Sequence, residues 1–148
     1  MDEGKIWEIR AFVYKHFAET TRPPVVDEVA EYFTLTRGET VSAYEELHQH
    51  HAFFLRPGTH DVLMANPFSA VETAFKVRAN GRSYFANCAW DTFGIPAALH
   101  TDAEIEAACA QSREPIRLRV TDQQVTGSRA LVHFLTPFRE WYDDLSFT

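Results

Sequence analysis

The sequence predicts an α+β protein in which a winged-helix-like helical module precedes an antiparallel-sheet core. Three segments with apolar residues at helical spacing come first, and two short apolar runs around Pro57-Gly58 follow them. The second half instead alternates with period two and contains Asn80-Gly81, a strong hairpin signal. We therefore predict a module at 1–67 and an α+β core at 68–148, whose helix carries a cysteine and an aspartate.

The N-terminal module is predicted as three helices and a hairpin. In the first helix, Ile6, Ile9 and Phe17 recur at helical spacing, and Arg22-Pro23-Pro24 ends the pattern. This order of elements is typical of a winged helix. The predicted elements are helices at 5–19, 25–33 and 39–50 and strands at 52–55 and 61–64.

The second half is predicted as a hairpin, a helix and further strands. Pro67 and the small residues after it are interpreted as a linker. The predicted elements beyond it are a hairpin turning at Asn80-Gly81, a helix at 87–99 interrupted near Gly94 and Pro96, paired strands at 105–109 and 116–120, a strand at 130–135 and a helix at 138–145.

Composition and charge restrict the classes of partner. The chain has 148 residues and a formal net charge of −7, which argues against broad binding to nucleic-acid phosphates. No apolar run approaches the ~20 residues that span a membrane, so we expect no membrane partner. The acidic start, MDEGKIWEIR, lacks the apolar core of an export signal. We therefore predict a cytoplasmic location.

Cys88 and Asp91 form the candidate site, because they lie three positions apart in a largely apolar segment. On a helix this spacing brings their Cβ atoms within about 5–6 Å. A neighbouring carboxylate raises a thiol pKa, so the pair suits a soft electrophile that displaces the thiol proton onto the carboxylate. The other interpretations are a small buried cysteine and an aspartate that caps a turn.

Three further features are weaker candidates. Cys109 falls at an inward position of a predicted strand, which favours a structural role. The i, i+3 pair His48 and His51 resembles a metal site only in spacing, and a solvated helix end is the simpler interpretation. The predicted helix 39–50 has the place of a recognition helix, but its Glu residues repel phosphate and Arg37 alone favours it.

The segment Ala86-Asn87-Cys88-Ala89-Trp90-Asp91-Thr92, with Pro96-Ala97 after it, resembles the first catalytic motif of the organomercurial (alkylmercury) lyases. In that family the Cys-x-x-Asp follows a β-hairpin, as it does here after Asn80-Gly81. The helical N-terminal region, the strand pair carrying Cys109 and the run Val132-His133-Phe134 also match the family.

The resemblance implies protonolysis of a carbon–mercury bond without a cofactor. Cys88 is then the first mercury-binding thiol and Asp91 carries the proton to the leaving carbon. The family's second catalytic cysteine precedes the Val-His-Phe strand, where this chain reads Gly127-Ser128-Arg129-Ala130 and has no thiol. The chain also ends at Thr148, earlier than family members usually do, so we expect either a shortened relative or a segment missing after Thr148. We expect external thiols as partners, and the apolar residues left uncovered favour a partner protein or a homodimer.

Three functional hypotheses follow. The first is an alkylmercury lyase-like enzyme of weak or altered activity, with a small organomercurial as substrate. The second is a non-catalytic protein that binds a soft metal or small ligand through Cys88. The third is a winged-helix transcriptional regulator with a ligand-sensing lobe, against which the acidic charge argues.

Overall fold

The computed structural model describes residues 1–134 and 136–142. Three helices come first, α1 (Glu3–Thr20), α2 (Val26–Phe33) and α3 (Arg37–Gln49), and α4 (Asp91–Leu99) follows later in the chain. Side chains cap two of the first three. The Asp2 carboxylate accepts hydrogen bonds from the first turn of α1, and Thr36 and Glu39 cap α3 reciprocally. Helix α2 has no side-chain acceptor at its N-cap, Val25, but Glu28 accepts from the Val25 N–H at 2.8 Å.

Eight strands of the described residues form one antiparallel sheet. The strands are β1 (Phe54–Leu55), β2 (Val62–Ala65), β3 (Phe68–Ser69), β4 (Lys76–Ala79), β5 (Arg82–Ala86), β6 (Ala103–Ala108), β7 (Pro115–Thr121) and β8 (Gln124–Thr126). Their order in the sheet is β1-β2-β3-β5-β4-β6-β7-β8. The predicted hairpin at Asn80-Gly81 is confirmed, since β4 and β5 pair on either side of it.

The three N-terminal helices pack on the sheet through a shared hydrophobic core. The Phe17 ring of α1 stacks on Phe68 of β3 with centroids 5.2 Å apart, and Phe68 contacts Tyr84 of β5. The Tyr84 hydroxyl donates to the Ala18 carbonyl at 2.5 Å. One hydrophobic cluster thus contains residues from both sides of position 67. The winged-helix assignment and the division into 1–67 and 68–148 stay predictions.

The structure corrects several predicted elements. Pro67 does not begin a linker, because β3 starts at Phe68 and joins the sheet. Cys109 lies beyond the end of β6. Residues 130–134 form no strand, and the rest of that predicted strand, residue 135, lies outside the described residues. These errors share a cause: short strands and strand ends depend on pairing with distant residues, which local alternation does not reveal.

The predicted C-terminal helix and the helix at 87–99 also change. A 3₁₀ helix spans Phe138–Glu140 only, and residues 143–145 of the prediction lie outside the described part of the chain. Helix α4 starts at Asp91 and runs without interruption through Gly94 and Pro96. It therefore carries Asp91 but not Cys88, which lies in the preceding turn. No helix of the described residues is long and apolar enough to cross a membrane.

Candidate active site

The candidate site lies in the turn that leads from β5 into α4. Cys88 occupies this turn, and Asp91 is the first residue of the helix. The Cys88 Sγ lies 3.6 Å from Oδ2 of Asp91, so the thiol donates to the carboxylate. The structure therefore brings together the two residues that the sequence singled out, although only one of them is helical.

Burial governs the protonation of both groups. Burial, and then the Asp91 charge, raises the pKa of the Cys88 thiol above its ordinary value. Burial also raises the pKa of Asp91, while hydrogen bonds from Asn87 and Cys88 oppose that shift. The resting site is therefore a neutral thiol beside a carboxyl group that binds a proton more readily than an exposed aspartate does. Such a pair is suited to passing a proton between sulfur and carboxylate.

Asn87 is a site residue that the sequence analysis missed. Its Nδ2 lies 3.3 Å from Oδ2 of Asp91 and also contacts the Asn66 side chain and the Phe68 carbonyl, at 2.9 Å and 3.3 Å. The i, i+4 spacing of Asn87 and Asp91 was a usable local signal. The contacts to Asn66 and Phe68 were not predictable locally, because about twenty residues separate the partners.

Gly94 allows α4 to approach the segment that contains Pro67. A Cβ built on Gly94 would lie 2.9 Å from the Pro67 Cβ and 4.0 Å from Oδ1 of Asp91. A side chain at this position would therefore push the helix away from the chain between β2 and β3. This close approach helps to hold Asp91 next to Asn87, whose other partners lie in the same segment.

Tyr14 of α1 interacts electrostatically with Asp91. Burial raises the pKa of Tyr14, the Arg10 guanidinium opposes that shift, and the Asp91 charge adds a smaller rise. The Tyr14 hydroxyl donates to the Ala52 carbonyl at 2.8 Å, and the Arg10 guanidinium lies over its ring.

Aromatic side chains flank the turn on its outer side. Trp90, between Cys88 and Asp91 in the sequence, is 59% exposed. Its ring contacts Phe134, which in turn stacks on Trp141 with centroids 5.1 Å apart. The segment after β8 thus passes close to the turn that holds Cys88.

The remaining thiol has different surroundings. Cys109 lies in the turn between β6 and β7, where its Sγ accepts a hydrogen bond from the Ser112 N–H at 3.5 Å. Contacts with Ser112 lower the pKa of this thiol. Both cysteines are free. Ser128 is exposed, and its hydroxyl accepts from the Ala130 N–H.

The other two weaker candidates, the His48–His51 pair and the predicted recognition helix, have structural contacts. The His48 Nδ1 accepts from the Leu55 N–H at 3.4 Å, and the His51 ring stacks on Tyr142. Within residues 1–134 and 136–142, no three His, Cys, Asp or Glu side chains are placed to hold a metal ion. Arg37 forms an ion pair with Asp27, so its charge is already partly neutralised.

Comparison with known proteins identifies the family of this chain. The family model for alkylmercury lyase matches residues 68–148, more than half of the chain. The alkylmercury lyases of Bacillus cereus and Clostridium butyricum are each 33% identical over 79 residues. That match covers 51% of this chain and 34% of each relative, so it spans about a third of the curated relatives' length.

A solved structure supports the same fold. The mercury-bound form of MerB2 superimposes with a TM-score of 0.67 at 19% identity, over 87% of this chain and 61% of that one. The shared architecture is a set of helices with an antiparallel sheet, as the sequence predicted. The family match over residues 68–148 includes the turn with Cys88 and Asp91. This chain therefore belongs to the alkylmercury lyase family.

Proposed function

We propose that this protein cleaves the carbon–mercury bond of small organomercurials by protonolysis. Cys88 captures the mercury, and Asp91 carries the proton to the leaving carbon. The observation that carries the proposal is the 3.6 Å contact between the Cys88 Sγ and Oδ2 of Asp91. The mercury atom belongs to the organomercurial substrate, and the proposed chemistry requires no further cofactor.

The first step is capture. The Cys88 sulfur forms a bond to mercury, the original mercury ligand leaves as an anion, and the thiol proton moves to Oδ2 of Asp91. Burial raises the pKa of both groups, which favours a thiol as the donor and a carboxyl group that retains the proton. A soft sulfur ligand suits a soft metal ion, so bond formation to mercury drives the loss of the proton.

The second step is cleavage. A second thiolate binds mercury, and Asp91 transfers its proton to the carbon as the carbon–mercury bond breaks. The bonding electron pair stays with carbon, which leaves as a hydrocarbon, while mercury remains Hg(II) on two sulfur ligands. Asp91 returns to its ionised form, so the proton it gained from Cys88 is the proton that the product carries away.

We propose that the second sulfur comes from an external thiol. Cys109 has its own hydrogen-bond partner in the β6–β7 turn, and the segment Gly127–Ala130 contains no thiol. Ser128 is a poor substitute, because a hydroxyl is a hard ligand and mercury is a soft ion. A low-molecular-weight thiol in excess supplies the missing ligand and removes the mercury product.

The test measures benzene released from phenylmercury in excess thiol, with Cys88→Ser, Asp91→Ala and Cys109→Ser compared with the wild type. We expect release from the wild type and from Cys109→Ser, which is the matched control for loss of a thiol. Release should fall to background in the other two variants. Equal release from Cys88→Ser and the wild type would refute the proposed role of Cys88.

A second function rests on the presence of a single thiol beside Asp91. In this alternative, the protein binds mercury or another soft metal through Cys88 and does not cleave the carbon–mercury bond. Stoichiometric mercury binding that is lost only in Cys88→Ser, without benzene release, would establish this function. The regulator hypothesis is not favoured by the family match. A homodimer and a cytoplasmic location stay predictions.

A further inference from the structure

The side chain of Asn87 contacts the same carboxylate oxygen as the thiol. Its Nδ2 lies 3.3 Å from Oδ2 of Asp91, and the Cys88 Sγ lies 3.6 Å from that oxygen. Two donors therefore converge on one acceptor. A carboxylate held in this way presents Oδ2, rather than Oδ1, to the sulfur from which it is to take a proton.

The orientation of the Asn87 amide is determined by its surroundings. Nδ2 also faces Oδ1 of Asn66 and the Phe68 carbonyl, so all three partners are acceptor oxygens. The amide oxygen, Oδ1 of Asn87, is buried and has no hydrogen-bond partner within the described residues. Rotation of the amide by 180° would direct this oxygen at three others, which is unfavourable while Asp91 is ionised. The side chain thus ties Asp91 to the segment between β2 and β3.

This contact matters because Asp91 has two opposite tasks. It has to be ionised when Cys88 gives up its proton, and it has to be protonated when the carbon–mercury bond breaks. The first transfer requires Oδ2 of Asp91 to stay next to the Cys88 sulfur, and the Asn87 amide contacts that same oxygen.

We propose that Asn87 is a positioning residue for proton transfer, whose amide holds Oδ2 of Asp91 towards the Cys88 sulfur. The inference rests on the proposed lyase function and extends it to a residue outside the Cys-x-x-Asp pair. Asn87 acts through Asp91 and needs no contact with the substrate.

The experiment compares Asn87→Ala with the wild type in the phenylmercury assay. We expect kcat to fall about tenfold, which corresponds to ~1.4 kcal/mol. KM for phenylmercury should stay within about twofold of the wild-type value, because the amide acts on Asp91 and not on the substrate. Mercury bound per Cys88 should not change.

The matched control is Asn80→Gly. Asn80 lies in the turn at the opposite end of β5, has a φ of 51° that glycine accepts, and bonds to Thr101 rather than to the site. We expect this variant to keep the wild-type kcat and KM. A rise in KM or a loss of bound mercury in step with the loss of kcat in Asn87→Ala would overturn the inference, because it would indicate only structural damage.

A crystal structure of Asn87→Ala separates this inference from the lyase function, because it needs no turnover. We expect Oδ2 of Asp91 to move away from the Cys88 sulfur in the variant, and an unchanged 3.6 Å contact would refute the role of Asn87. Absence of benzene release from the wild type would instead refute the proposed function, whatever the structure of the variant shows.

Discussion

Replacing Phe17 by alanine tests whether the N-terminal helices and the site-bearing sheet form one cooperative unit. Phe17 is 1% exposed and stacks on Phe68, whose carbonyl accepts from Asn87 in the candidate site. Truncation of a buried Phe to Ala costs ~3–5 kcal/mol, because apolar contacts are lost and a cavity remains. For a chain of this size that loss lowers Tm by roughly 10 °C or more.

The assay is urea unfolding followed by far-UV circular dichroism and by tryptophan fluorescence. The fluorescence signal includes Trp7 in α1 and Trp90 in the turn at Cys88. Circular dichroism and fluorescence should therefore give one coincident transition that shifts as a whole. Leu131→Ala is the control, since Leu131 is 92% exposed, and we expect a change within about 0.5 kcal/mol. A cost below about 1 kcal/mol for Phe17→Ala, or a shift confined to one probe, would refute the reasoning.

Three other predictions follow from the site. Gly94→Ala should lower the free energy of unfolding by ~1–3 kcal/mol, because the new Cβ meets Pro67 at 2.9 Å; a gain in stability on urea unfolding would contradict this. Iodoacetamide at pH 7.5 should alkylate Cys109 several-fold faster than Cys88 by peptide mass spectrometry, since contacts lower the pKa of Cys109 while burial raises that of Cys88. Asp91→Asn should raise the free energy of unfolding more at pH 7.5 than at pH 4. The reason is that Asp91 of the folded wild type retains its proton above the ordinary pKa of 3.8, so the wild type loses stability as pH rises through the raised pKa. An equal gain at both pH values would count against this prediction.

The sequence determined those features that depend on near neighbours. Helical spacing located the three N-terminal helices to within two residues, and Asn80-Gly81 predicted the β4–β5 hairpin because few turn geometries accept that pair. The proximity of Cys88 and Asp91 was also local, since they lie three positions apart whether the turn is helical or not. The motif around them was sufficient to indicate the family.

Only the tertiary structure decided what surrounds this pair. Asn66 and Pro67 reach the site from the segment between β2 and β3, and the Phe68 carbonyl reaches it from β3. Tyr14 of α1 interacts electrostatically with Asp91. Strands as short as β3 and β8 exist because a neighbouring strand supplies their hydrogen bonds, so their own residues carry little signal. The raised pKa of Asp91 likewise comes from burial by residues distant in sequence, and burial is a property of the folded chain rather than of any local motif.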